Sequence, residues 1–494
     1  MNDENYDFAV IGSGAGGCAA AYQLAVAGHK VLILERGPEL PADATRLDIN
    51  QLSSKEFHSP SGFLFKSKPA KHQEFTNLGG KTMWYGTTLM RYTDDEFAPD
   101  PAFQCPGWPV TAQEMAPYYD EAERHLEVQV FPPEPETQAL VDHFTKNNSG
   151  WSSAPQPLGL AADILKKEEF FAKQFNGRPM PPGIKRDAES AFLTPMRRMR
   201  NVRVVTDEWV VALEPDPENP RRVAALRCQS GAVFHADHVI LAAGALNSPR
   251  LMNDYVERCG LQEQMPGAHL IGRYYKSHLG ARVIALSPWV QKDILRKTIF
   301  LKHPDFPHSI VQTWAHVNPE VIRYASAVKL ISRLPALVPS WMMNQATQRM
   351  IGFLIMTEEG SHYDNRGTGA ADGSPDLDYD LDRTREALEE HARISAALRR
   401  RLLSAGYFLL ARKPARFSTS HACGTMIAGT DPKSSVVGAS GEVHGMENLS
   451  VADGSVLPRI GKENPALTIF AWGLRTGRLL ADKTARRQPA AAVA

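Results

Sequence analysis

Cysteine is scarce in this chain of 494 residues: five occur, at positions 18, 105, 228, 259 and 423. They are odd in number and far apart, which argues against a disulfide framework and leaves no metal-ligand spacing. Reduced thiols and no metal are expected. Net charge is missing too. Lys plus Arg (55) equal Asp plus Glu (55), so bulk charge favours neither nucleic acid nor an acidic membrane surface. No apolar run reaches about eighteen residues, so no transmembrane segment is expected. The polar N-terminus shows no basic region, apolar core or twin arginine of an export signal. A cytoplasmic location is therefore expected. Internal repeats are absent. What remains is ordinary globular composition, 43% hydrophobic and 22% charged, and a length that allows two or three domains.

The most informative stretch comes first. Tyr6 to Ile11 is a short apolar run that feeds into Gly12-Ser13-Gly14-Ala15-Gly16-Gly17. A helical stretch follows from Cys18 to Ala27, then a second apolar run from Lys30 to Leu34, ending at Glu35. The order is strand, glycine turn, helix, strand, acid. Gly12 permits the tight turn, Gly14 lets backbone approach a pyrophosphate, and Gly17 lets the helix pack close to the strand. The helix N-terminus offers free N–H groups to phosphate. Glu35, about twenty residues on, suits a ribose hydroxyl. Strand, helix and acid agree, so a dinucleotide site is expected here. Which dinucleotide stays open at this point.

Further along, Arg36 to Lys71 is rich in Pro, Ser and charge and reads as an excursion. Asn77 to Gly86 holds the adjacent pair Gly79-Gly80 followed by polar and aromatic residues, including Thr82, Trp84 and Tyr85. It is either backbone passing close to a ligand or a plain loop. Glu114 to Leu126 reads as a helix, and 130–190 as Pro-rich connections. Strand-like runs follow at Val202–Thr206 and Trp209–Leu213. A hairpin turns at Ser230-Gly231, and His238–Leu241 ends at Ala242-Ala243-Gly244-Ala245. Small residues at that strand end fit close approach to a cofactor. In 281–414, Val283–Leu286 and Gly352–Met356 read as strands and Arg383–Ala405 as a helix with an apolar stripe at Leu388, Ile394, Leu398 and Leu402. Val321–Met350 is amphipathic and broken at Pro335 and Pro339. It either covers a pocket or forms a docking surface for a subunit or membrane face. Pro465 to Lys483 reads as the last helix.

This gives an α/β fold: a Rossmann-like domain carrying an inserted α+β substrate-binding domain. The dinucleotide domain is discontinuous, from 1–100, 190–280 and 415–483. Residues 101–189 form a connecting, helical excursion, 281–414 the substrate-binding domain, and 484–494 a flexible tail.

A second constellation lies at the C-terminus: Ser420-His421-Ala422-Cys423-Gly424-Thr425, then Val451-Ala452-Asp453-Gly454, then Glu463-Asn464-Pro465. His421 is one of 16 histidines, and a lone histidine is more often structural. Its small, polar neighbours and the Asn-Pro at a helix start point the other way. With these segments on the page, the chain resembles the glucose–methanol–choline (GMC) oxidoreductases, a family of alcohol-oxidising flavoproteins. The resemblance runs through Glu35-Arg36-Gly37, Gly79-Gly80, Gly107-Trp108-Pro109 and Pro117-Tyr118-Tyr119. It continues in Ala242 to Pro249, Ile271-Gly272-Arg273 with His278, Asn365-Arg366 and the C-terminal block. It covers about half the chain, in family order.

The resemblance implies FAD. Gly12, Gly14, Ala15, Gly16 and Gly17 would hold its pyrophosphate, with Glu35 on the adenosine ribose and Arg36 beside it. Gly79, Gly80 and Thr82 would pass the flavin ring, and Val211 the adenine. Ala243 and Gly244 would form a further wall. Asp453, Gly454, Asn464 and Pro465 would hold the ribityl chain and pyrimidine end. Relatives that link the flavin to histidine carry that histidine just after the Gly-Gly pair. Lys81 to Tyr85 has none, so non-covalent FAD is expected. Two departures from family patterns, at Thr425 to Gly429 and at Glu358-Glu359, prevent substrate contacts being copied from any one member.

The implied catalytic pair is His421 and Asn464. Oxidising an alcohol removes a hydroxyl proton and a carbon-bound hydride. Flavin N5 accepts the hydride, histidine can accept the proton near neutral pH, and asparagine can donate to the alcohol oxygen. The pair and the unlinked loop resemble sugar- and glycoside-oxidising members, pyranose oxidase-like, so a sugar, glycoside or related polyol is the expected substrate. An aminoglycoside, an aminocyclitol or a non-sugar alcohol is the alternative, as is a redox-silent flavin lyase or binding protein of the same fold. A nicotinamide-only dehydrogenase fits less well, because it needs no second cofactor segment near the C-terminus. Glu358 and Glu359 either bind substrate or form a solvated pair. Trp84 and Tyr85 either stack on a sugar or pack in the core. The electron acceptor is unassigned, no nucleic-acid partner is expected, and a homo-oligomer is compatible with the sequence.

Overall fold

Tyr6 to Ile11 presents apolar side chains to both faces, as a strand covered above and below requires. In the computed structural model, which describes residues 5–41, 58–65, 68–317, 338–369, 375–415 and 420–487, this run is β1 (Asn5–Ile11). The helix Ala15–Val26 follows, then β2 (Val31–Leu34), parallel to β1 with Val10 opposite Ile33. A hairpin, β3 (His58–Phe65) and β4 (Lys68–Phe75), stands apart from the larger sheets. Next come β5 (Ser152–Pro155), β6 (Val202–Val205), β7 (Val210–Pro215), β8 (Val223–Cys228) and β9 (Val233–Leu241). The remaining strands are β10 (Leu279–Leu286), β11 (Ile299–Lys302), β12 (Ser309–Thr313), β13 (Met350–Thr357), β14 (Arg366–Gly369), β15 (Pro375–Asp378), β16 (Phe408–Ala415) and β17 (Leu449–Val451).

The first sheet runs β6-β2-β1-β9-β8-β7, with β17 also pairing β9. Its β6, β2, β1, β9 and β17 are parallel neighbours, and β7, β8 and β9 form an antiparallel meander. The fold is mixed α/β with a Rossmann-like first unit. The closing helix Ala466–Arg487 packs on Ala15–Val26 through glycines. A Cβ at Gly473 would stand 2.3 Å from the Gly16 carbonyl oxygen, and one at Gly477 2.5 Å from that of Ala20. On the closing helix Trp472 is fully buried, its Nε1 donating to the Val451 carbonyl at 3.1 Å. Truncating such a side chain costs about 3–5 kcal/mol. The helix runs through Arg487, so 484–487, expected as tail, continue it.

The second sheet runs β16-β10-β13-β12-β11-β5 and is antiparallel throughout. The helix Arg385–Ser404 lays Ile394, Leu398 and Leu402 against Phe353 and Ile355 of β13, as its apolar stripe predicts. One strand, β5, comes from the stretch expected only to connect. No described helix is long and apolar enough to cross a membrane. Of the amphipathic stretch Val321–Met350, residues up to 337 lie outside the described residues. So do 42–57 and 66–67 of the Arg36–Lys71 excursion, and 488–494 of the tail.

Candidate active site

The glycine turn is shaped by close backbone approaches. Gly12 has φ +104°, and a Cβ there would lie 2.4 Å from the Ala242 oxygen. At Gly16 it would lie 1.8 Å from the Ala452 oxygen, and at Gly17 2.2 Å from that of Gly12. Gly14 meets nothing within 4 Å, so the open side of the turn is there. Gly14 is also the N-cap of the Ala15–Val26 helix, and no side chain caps it. Among the described residues the first-turn N–H groups therefore have no side-chain acceptor, the arrangement that takes a phosphate. Glu35 accepts from Ser13 N (3.0 Å) and Ser13 Oγ (2.5 Å) through Oε2, and from Gly37 N (3.0 Å) through Oε1. A carboxylate has about four acceptor directions, so one remains for a ribose hydroxyl. Arg36 and Arg250 both lie over the Trp209 ring, at 5.4 and 5.7 Å. Half-buried Val211 is two residues on, in β7.

Ser13, not singled out in the sequence, links this turn to the next wall, because its Oγ also accepts from Gly79 N at 2.9 Å. Its only sequence signal is a small hydroxyl residue between two turn glycines. Gly79 and Gly80 have φ +83° and +57°, and a Cβ on Gly80 would be 3.2 Å from Gly14 Cα. Thr82 is buried, donating to the Gly79 carbonyl at 2.6 Å and accepting from Ala188 N at 3.0 Å. Asp453 accepts from Gly244 N and Ser248 Oγ on one oxygen and from Ser455 N and Oγ on the other. Its acceptor directions are filled. It joins the Ala243-Gly244 wall to the C-terminal block instead of offering a free carboxylate to a ribityl chain. Burial pushes its pKa up.

These walls share a pattern of exposure. Gly14, Ala15, Gly80, Lys81, Ala243, Gly244, His421 and Asn464 are half-buried within otherwise buried chain, whereas Gly16, Gly17, Gly79, Gly454 and Pro465 are buried behind them. Gly16 touches Ala452, and Gly454 touches the Ala422 carbonyl, which puts His421 next along the same wall. The residues present fit an extended dinucleotide lying across the C-terminal edge of β1 and β9, as open α/β sheets hold them.

His421 packs edge-on to His278, with ring centroids 4.9 Å apart and the two Nδ1 atoms 2.8 Å apart. His278 Nε2 lies 2.8 Å from the Gly461 carbonyl. Burial, then His278, Lys81 and Lys297, hold the His421 pKa well below the usual 6.5. Burial also brings His278 down to about 4. Lys297 Nζ donates to the Gly86 carbonyl (2.7 Å) and Asn176 Oδ1 (2.9 Å), and burial lowers its pKa to about 7. Three residues beyond Gly461, Asn464 Oδ1 accepts from Gln312 Nε2 of β12 at 2.5 Å. Among the described residues, Asn464 Nδ2 bonds only to the Met356 sulfur of β13, at 3.8 Å. The site thus lies where the second sheet meets the first. Gln312 carries no sequence signal, since only the register of β12 brings it here.

Other expected residues are not brought to this spot. Glu358 is fully buried. It is held by Arg459 Nε (2.9 Å) and Nη2 (2.7 Å), Gly461 N (2.9 Å) and His308 Nδ1 (2.9 Å), and Arg459 and His308 depress its pKa to about 2 against the effect of burial. Glu359 is equally buried, accepting from Ser277 N (3.0 Å) and Tyr379 Oη (2.6 Å), and burial raises it to about 7. Neither is the solvated pair or the substrate contact weighed from sequence. Trp84 is buried, stacked on Phe75 at 4.4 Å and bonded to Asn77 Oδ1. Tyr85 is half-buried, its hydroxyl donating to the Arg186 carbonyl. Cys105, His308 and Glu358 sit within 4.8 Å of one another, a metal-like spacing, but the Arg459 guanidinium already neutralises that carboxylate. A cleft of about 780 Å³ between 94–114 and 427–434, lined by Trp108 and Tyr274, touches neither His421 nor Asn464.

Comparison with known proteins agrees with this geometry. A family model described as FAD dependent oxidoreductase matches residues 7–156, and one described as GMC oxidoreductase matches 371–473. The chain is 28% identical to 6'''-hydroxyparomomycin C oxidase of Streptomyces lividus, over 98% of this chain and 92% of that one. It is 27% identical to paromamine 6'-oxidase of Streptomyces fradiae, over 99% and 94%. Among solved structures it is similar to pyridoxine 4-oxidase from Mesorbium loti (18% identity, TM-score 0.59, 96% of this chain and 99% of that). It is also similar to an R554A variant of Aspergillus oryzae formate oxidase (14%, TM-score 0.66, 98% and 100%). The turn shaped for a pyrophosphate, the walls that extend it and the two matching family models, one toward each end of the chain, lead to one assignment: the chain carries an FAD-dependent oxidoreductase segment and a GMC oxidoreductase segment and is an FAD-dependent enzyme of alcohol oxidation.

Proposed function

We propose that the enzyme oxidises a hydroxyl of an aminoglycoside or closely related amino sugar to a carbonyl, with His421 as base and Asn464 as the group that holds the alcohol oxygen. The observation that carries the substrate class is the pair of aminoglycoside oxidases that align with this chain over nearly its whole length. Bound FAD supplies the acceptor for the carbon-bound hydride. The protein's part is to orient the alcohol and take its proton. Neutral His421 takes the hydroxyl proton as the O–H bond breaks. Asn464 keeps its Oδ1 on Gln312, so its Nδ2 hydrogens are free to turn to the alcohol oxygen and stabilise developing negative charge there. On this reading the cofactor domain comprises 1–100, 190–280 and 415–483, and 281–414 supplies the substrate wall through β12 and β13. FAD binds without a covalent link, since Lys81 to Tyr85 offers no histidine. Glu358 and Glu359 support the site from behind it.

The test is anaerobic mixing of the purified holoenzyme with paromamine, other aminoglycosides, simple glycosides and choline, followed by the flavin absorbance. Aminoglycosides are expected to bleach the flavin fastest. Bleaching by simple glycosides or choline at equal or greater rates would sink the substrate class. His421→Ala is expected to retain FAD and slow bleaching by about 10²–10⁴-fold. A near-normal rate in that variant would sink the base assignment.

A further inference from the structure

The base proposed above works only if the nitrogen facing substrate lacks a proton, and imidazole has two nitrogens. The hydrogen bonds decide which one carries it. The Gly461 carbonyl can only accept, so His278 Nε2, 2.8 Å away, must carry a hydrogen. His278 is buried, and among the described residues no carboxylate bonds to its ring. Burial keeps it neutral. A neutral imidazole protonated at Nε2 has a bare Nδ1, which is an acceptor. The partner 2.8 Å from it is His421 Nδ1, which must therefore be the donor. With its single proton at Nδ1, neutral His421 presents a bare Nε2.

We propose that His278 is a positioning residue that fixes the His421 tautomer, leaving Nε2 as the proton acceptor; this rests on His421 being the base. The direction of the relay is set at its far end by a peptide carbonyl, which cannot reverse it. That peptide is itself held, because its N–H, on Lys462, donates to Glu96 at 2.6 Å, and the preceding peptide is held by Gly461 N donating at 2.9 Å to Glu358, which Arg459 clamps. When the alcohol O–H bond breaks, its proton joins Nε2. His421 becomes an imidazolium that keeps its Nδ1–H on His278, so the ring need not reorient during the reaction. If His278 were removed, the His421 ring could take either tautomer and could rotate. If a donor-only side chain replaced it, His421 Nδ1 would be forced to accept, and the proton would move to Nε2, where it blocks the base.

The direct test is nitrogen NMR of the 15N-histidine-labelled holoenzyme, with His421 assigned by comparison with His421→Gln. A non-protonated Nε2 and a protonated Nδ1 are expected. The reverse pattern would overturn the proposal without any variant of His278. The kinetic test uses two substitutions. His278→Gln can still accept from His421 and donate to Gly461, and is expected to keep flavin reduction within about tenfold of the native rate. His278→Leu can do neither, and is expected to lose about 10²-fold or more in reduction rate at near-native KM and FAD content, within the range of base catalysis. Equal rates in the two variants would overturn the proposal. A crippled His421→Ala with unchanged His278→Leu would overturn it while leaving the base in place. A fully active His421→Ala would overturn the underlying function instead.

Discussion

As the proposed base, His421 can act only while unprotonated, and its surroundings favour that form. Burial, then His278, Lys81 and Lys297, lower its pKa. The sign follows: the basic form persists below pH 6.5 and is lost only as pH falls through the depressed value. The rate of flavin reduction by saturating alcohol is therefore expected to stay level down to and below pH 6.5. Stopped-flow rates across pH would show this, and an acid limb at or above 6.5 that His278→Gln leaves in place would contradict it. Stability shares the direction. His278 titrates near 4 when folded and near 6.5 when unfolded, so the unfolded chain binds more protons between those values. Its contribution is present above about 6.5 and is lost as pH falls toward 4. Single residues were unevenly legible. Glu35 and the turn glycines stand in one short motif. His421 and Asn464 needed the family resemblance. The partners that give them chemical direction, His278 across 143 residues and Gln312 across 152, meet them only through tertiary register. Glu358 and Glu359 misled because adjacent acids suggest solvent. Arg459, 101 residues on, supplies the charge that lets Glu358 be buried.

At the scale of elements, period and continuity carried most of the reading. β1, its glycine turn, the helix and β2 were legible because an apolar run, a turn and an alanine-rich helix follow one another without conflict. The stripe on Arg385–Ser404 was legible for the same reason. β5 was not, since Ser152–Pro155 is a short, polar strand whose place is decided by pairing with β11. The clamp on Glu358 belongs to this scale, because it ties the end of β13 to the 459–464 segment and, through Arg459 Nη1, to the Asp95 and Ala98 carbonyls. Removing one partner of a buried pair costs about 3–5 kcal/mol, because the other charge is left uncompensated. Glu358→Ala is expected to lower the unfolding free energy by that order, read in urea as a lower midpoint at an unchanged slope. Glu358→Gln, which keeps some hydrogen bonds, should fall between. With Glu358 near 2 when folded, the native advantage holds above the ordinary carboxylate range and is lost as pH drops toward 2. A direct substrate contact would make a different mark: KM would rise sharply in Glu358→Gln with little loss of stability.

Over the whole molecule, the two ends of the chain meet at the proposed cofactor site. The first strand and helix supply the turn, and the last 70 or so described residues supply Asp453, Asn464 and the closing helix. The joint is the crossing of Ala466–Arg487 over Ala15–Val26, where a Cβ on Gly473 would stand 2.3 Å from the Gly16 oxygen. Gly473 is placed outside every proposed cofactor contact, yet the residue it presses on is part of the phosphate turn. Gly473→Val would push the helix away and shift Gly16 with it. Overpacking of this kind costs about 1–3 kcal/mol. Because FAD stabilises the fold that binds it by RT ln(1 + [L]/Kd), weakened binding and weakened folding should appear together. The variant is expected to release FAD on dilution more readily than the native enzyme and to melt earlier, with the melting deficit widening as FAD is added and levelling off once both proteins are saturated. Fluorescence of released flavin and thermal melts at several FAD concentrations measure both. If the joint between the chain ends did not shape the cofactor site, Gly473→Val would lower the melting temperature by the same amount at every FAD concentration and release flavin at the native rate.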